Sequence, residues 1–136
     1  MNMKTARRNP VSIFRLILVT LTIVLIAGCS KPGPMDAAAE EIAQASLKTT
    51  YANPSNLIPL EERAKKDWGM DAHKLIKTCA VAALQYMKMT PDQATKIASQ
   101  LSDPGSGDDN SRDMAAGFSN HLERCLTRPV AYDVGK

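Results

Sequence analysis

His121 and Cys125 stand four residues apart in "HLERC", a spacing that puts an imidazole and a thiol on one face of a helix, as two ligands of one metal ion would need. His73 and Cys79 are six apart, which is wrong for one helical face, so spacing does not close a four-ligand site. Adjacent acids occur at Glu40/Glu41, Glu61/Glu62 and Asp108/Asp109. Neighbours on a helix point in different directions, and the last pair falls among Gly, Ser and Asn, so solvated surface accounts for them better than catalytic carboxyls held across a cleft. Serines are present without a strand-turn-helix elbow around a nucleophile. The chain has no glycine loop for phosphate, no haem-attachment Cys-x-x-Cys-His and no basic aromatic stripe. The pattern argues against an enzyme, a bound cofactor and a metal site.

Trp68 is a different kind of candidate. It ends a charged stretch beside Gly69 and Met70, and it is the chain's one tryptophan. It reads first as core, because a small bundle with few rings needs one large side chain. On the surface, with Tyr51 and Leu57 nearby in sequence, it would instead be an anchor for a protein partner.

The elements that must position these residues read as helices throughout. Met35 to Leu47 is rich in helix formers with Asp36, Glu40 and Glu41 toward its start, where the helix dipole favours acids. Thr49 to Pro59 reads as a loop because Pro54 and Pro59 restrict themselves and their predecessors. Leu60 to Trp68 is then a short charged helix stopped by Gly69. From the cap residue Asp71 to about Met89, apolar residues Leu75, Ile76, Cys79, Ala80, Ala83, Leu84 and Met87 recur at buried-helix spacing.

"TPDQ" (Thr90 to Gln93) is a capping box with proline in the first turn, opening a helix to Leu101. After the acidic loop "SDPGSGDDNS", Asn110 or Ser111 caps a last helix to about Thr127, with Met114, Phe118, Leu122 and Cys125 on one side. Pro129 ends it, and residues 129–136 are expected to be a frayed tail. No window alternates apolar and polar residues for long, so the expected fold is all-α, a small bundle of four to five short helices.

The N-terminal segment has another logic. Lys4, Arg7, Arg8 and Arg15 precede the apolar run Leu16 to Ile26, broken only by Thr20 and Thr22, and small Ala27 and Gly28 follow. That order is a secretory signal, and Arg15 comes too late in the basic region to leave room for a comfortable membrane span. "IAGC" (Ile26 to Cys29) resembles the lipobox of bacterial lipoprotein precursors. The resemblance implies acylation of the Cys29 sulfur, cleavage before Cys29 and acylation of the new amino terminus, since two or more acyl chains anchor firmly where one is marginal. Ser30, rather than Asp, follows the cysteine, which in such precursors points to the outer membrane of a diderm bacterium, with the domain on its periplasmic face. On this reading residues 1–28 are signal peptide, 29–35 with "SKPGP" a non-helical tether, and 36–128 the helical domain.

Removing the signal removes the apparent basicity. Four of the seventeen Lys and Arg leave with it, and thirteen remain against fourteen Asp and Glu, so the formal charge of +3 becomes −1 and a nucleic-acid partner is not expected. With Cys29 committed to lipid, Cys79 and Cys125 remain as an even pair in an oxidising compartment, which implies one inter-helix disulfide rather than thiol ligands for a metal. The functional expectation is a lipid-anchored envelope protein that binds another envelope protein, as an adaptor or accessory subunit of a secretion- or conjugation-type assembly. An immunity or exclusion lipoprotein that blocks a toxin or machine is the alternative, and a small periplasmic hydrolase or metal-binding protein ranks third.

Overall fold

Pro34, read as part of the tether, instead opens the first helix, in a computed structural model that describes residues 32–134. The signal segment 1–28 and Cys29 lie outside the described residues. Helix α1 is Pro34–Lys48, α2 Pro54–Trp68, α3 Ala72–Tyr86, α4 Pro91–Ser102 and α5 Asp109–Thr127, followed by a 3-10 helix, Pro129–Tyr132. The expected all-α bundle is therefore what the described residues form, with no strand among them. Proline in the first turn of α1 omits only an N–H that has no helical acceptor there, which is why "SKPGP" did not exclude a helix start.

The ends of α2, α3 and α4 follow local chemistry. The Gly69 N–H donates to Lys65 O and the Met70 N–H to Ala64 O, both at 3.2 Å, with Gly69 at φ 64° closing α2. At α3, Asp71 Oδ1 accepts from the Lys74 N–H at 2.7 Å. The Thr90 capping box of α4 forms in both directions, Gln93 N–H to Thr90 Oγ1 at 3.3 Å and Thr90 N–H to Gln93 Oε1 at 2.9 Å.

Four further readings need correction. The stretch Thr49 to Pro59 is not all loop: Asn53 caps α2 through the Ser55 N–H at 3.0 Å, Pro54 takes the first turn, and the helix continues through Pro59. Leu57, Leu60, Ala64 and Trp68 then form one stripe at spacings of three, four and four, and this packing outweighs the hydrogen bond that Pro59 cannot donate. Helix α3 ends at Tyr86, short of Met89, where Lys88 turns to φ 54°. The α5 cap is Asp108, accepting from the Ser111 N–H at 2.8 Å, not Asn110 or Ser111. The tail is not frayed as far as Val134: the 3-10 helix folds back, the Val134 N–H reaches Pro129 O at 3.3 Å, and the Val134 side chain is buried.

Packing joins α1 to α3 and α4, and α5 to α3 and α4, while α2 rests mainly on α3. Ile42, Leu75, Ile76, Leu84, Ile97 and Phe118 fill the centre, and small Ala39, Ala43, Ala80, Ala83, Ala94 and Ala98 are wholly buried among them. A core so rich in alanine has little apolar area per residue to bury, so covalent help matters more. It is present: Cys79 and Cys125, both fully buried, form the expected disulfide between α3 and α5 with Cα atoms 5.6 Å apart. Closing a 46-residue separation is worth about 4 kcal/mol in the chain-entropy account.

Candidate functional site

The three residues offered as a partner surface, Trp68, Tyr51 and Leu57, are all partly buried and packed against the core. Trp68 closes α2 with its indole Nε1 shielded from solvent and without a hydrogen-bond partner. Leu57 lies in the first turn of that helix, eleven residues away, or about 16 Å along the axis. Tyr51, in the α1–α2 connection, borders a hollow of about 270 Å3 that also meets Ser46, Thr49, Ser119, Glu123 and Leu126, and neither Trp68 nor Leu57 lines it. Burial, followed by the Glu123 charge, pushes the Tyr51 phenol above its ordinary value. The three do not form one surface.

His73 and His121 have taken other partners. The His73 imidazole contacts Glu40 at 2.9 Å, and Lys77 reaches Glu40 and Asp36 at 3.2 Å each, tying α3 to α1. Hydrogen bonds from Gln44 and Lys77 hold the Glu40 carboxyl below its ordinary value, and the same carboxylates hold Lys77 above its own. Because residues 36 and 40 pair with 77 and 73, α1 and α3 run antiparallel. His121 does not share a ligand set with Cys125, whose sulfur is spent in the disulfide; its Nδ1 is 3.0 Å from the Tyr132 hydroxyl.

That last contact belongs to a cluster that the sequence reading did not assemble. Tyr86 ends α3, His121 is on α5 and Tyr132 ends the 3-10 helix. The Tyr86 ring centroid lies 4.9 Å from that of His121 and 5.5 Å from that of Tyr132, and His121 and Tyr132 meet edge-on at 6.4 Å. These tilted arrangements suit the ring quadrupoles. Arg124, Thr127, Arg128 and Ala131 complete the walls of an open hollow of about 690 Å3.

Each wall has a local cause. The disulfide pins Cys79 to Cys125; Tyr86 is two turns beyond Cys79, and His121 is one turn before Cys125, so the antiparallel pair α3/α5 carries both rings toward the same end. His121, Arg124 and Arg128 follow at spacings of three and four, beside the core stripe of Phe118, Leu122 and Cys125. Pro129 starts the tight turn that brings Tyr132 back over His121. The available signal was the His121, Arg124, Arg128 periodicity; the missing piece was that the tail folds. No family model, curated protein or solved structure matches the chain.

Proposed function

We propose that the chain is an outer-membrane-anchored periplasmic lipoprotein whose helical domain acts by binding another envelope protein, as an adaptor or accessory subunit of a secretion- or conjugation-type assembly. The observation that carries the anchor is "IAGC" at Ile26 to Cys29, behind a basic, acid-free start and an apolar run. The buried Cys79–Cys125 disulfide supports an oxidising compartment, because such a bond persists there and is rare where thiols are kept reduced. A partly exposed corner holding two tyrosines and two arginines supports a binding role, since those residue types are enriched in protein-binding hot spots.

The anchor is tested in cells with a labelled fatty acid. Cys29→Ala is expected to accumulate as unprocessed precursor without label, while the parent chain is shortened and labelled. Normal processing and labelling of the variant would remove the basis of the proposal.

A further inference from the structure

We propose that the hollow between Tyr86, His121 and Tyr132 docks an acidic peptide segment of the partner protein, with an aromatic or aliphatic side chain set against the rings and a carboxylate against Arg124 and Arg128. The inference rests on the protein-binding reading above and supplies its chemistry. Three observations carry it: exposure, charge and preorganisation.

Tyr86 and Val130 are each 66% exposed, and among the described residues the other exposed large apolar side chain, Ile58, is on α2 and does not line the hollow. Val130 belongs to the same 3-10 helix as Ala131 and Tyr132, which line the hollow. Apolar surface is thus left in water next to rings that could cover it only with a partner's help.

Among the described residues the lining carries two guanidinium groups and no carboxylate. Neither Arg124 nor Arg128 makes an ion pair with a described residue, whereas Lys77 and Arg112 are both paired. A positive corner on a domain of slightly negative formal charge selects acidic ligands and repels basic ones. Planar guanidiniums also suit bidentate contact with carboxylates.

The walls are already in place. The His121–Tyr132 hydrogen bond and the ring packing hold two of the three rings before anything binds, which reduces the ordering cost of association. A volume of about 690 Å3 admits a few side chains, and it is concave. An anionic membrane surface would instead favour apolar side chains projecting from a convex, broadly basic face. The peptide is therefore the occupant the geometry favours.

The test is selection from a random peptide library on the full chain, in detergent with its disulfide intact, followed by measured affinities for the selected peptides. The expected winners combine Asp or Glu with a neighbouring Trp, Phe or Leu. The double reversal Arg124→Glu with Arg128→Glu is expected to weaken them about tenfold or more and to shift selection toward Lys- and Arg-containing peptides. Tyr86→Ala, at an exposed position where folding is little affected, is expected to weaken binding about tenfold without changing charge preference. Lys65→Glu with Lys66→Glu, on α2, serves as the control and leaves binding unchanged.

Selection of uncharged or basic peptides by the parent chain, absence of any selected peptide, or survival of acidic binding in both the reversal and Tyr86→Ala would overturn the proposal. So would displacement of the acidic peptide by soluble short-chain phosphatidylglycerol at lower concentration than by its own unlabelled copy. Failure of the anchor is read separately. A missing acyl label with acid-selective binding intact would overturn the lipoprotein reading and support the hollow, whereas acid-indifferent binding overturns the hollow even where the label is normal.

Discussion

Gly69 and Lys88 occupy the same left-handed backbone region at the ends of α2 and α3, with φ of 64° and 54°. Only one of them is suited to it. A Cβ at Gly69 would meet nothing within 4 Å, so Gly69→Ala isolates backbone strain and is expected to cost about 1 kcal/mol in urea unfolding. Lys88 already bears that strain, and Lys88→Gly is expected to raise stability by a few tenths to about 1 kcal/mol, the gain being reduced by glycine's greater freedom in the unfolded chain. Glu40 makes a second residue-scale prediction. Its carboxyl is held below the ordinary value of 4.5, first by Gln44 and then by Lys77, so the folded state binds a proton less readily than the unfolded state. That contribution is present above about pH 4.5 and disappears as pH falls through the folded value. Glu40→Gln should therefore flatten the loss of stability on acidification in that window, seen in urea midpoints measured against pH, and an unchanged slope would remove Glu40 from the account.

At the scale of elements, helices α3 and α5 form the part of the bundle that depends most on a covalent link. The disulfide joins the middle of α3 to the last turn of α5 inside a core rich in alanine. Replacing both cysteines by alanine is expected to lower unfolding stability by about 2–5 kcal/mol, measured in urea, and a loss below about 1 kcal/mol would show that packing alone holds the pair. Helix starts were legible where a cap and its acceptor lie within one turn, as at Asp71 and Thr90, and the stop at Gly69 was legible for the same reason. The start of α2 is not legible locally, because Pro54 and Pro59 carry the chemistry of helix breakers. Pro54 fills a first-turn position, and at Pro59 the stripe Leu57, Leu60, Ala64, Trp68 against α3 compensates. The cap of α5 was misplaced by two or three residues for a smaller reason: Asp108, Asn110 and Ser111 are all competent, and the path of the preceding loop selects among them.

For the molecule as a whole, the segment after Pro129 closes the bundle and completes the aromatic corner. Ending the chain at Arg128 is expected to remove buried Val134 and the Tyr132 wall, lowering stability by about 1–3 kcal/mol in thermal or urea unfolding. The same truncation should increase the solvent accessibility of Tyr86, detectable by its fluorescence quenching. The helical class, the caps at Asp71 and Thr90 and the buried stripe of α3 were determined by the sequence alone, because each depends on contacts within a turn or on a 3.6-residue period. The meeting of Tyr86, His121 and Tyr132 was decided only by the tertiary structure. Tyr86 and His121 are 35 residues apart, and their approach requires the register of two antiparallel helices together with a tail that folds back. Local periodicity can place a side chain on a helix face, but which faces come together depends on packing among elements distant in sequence.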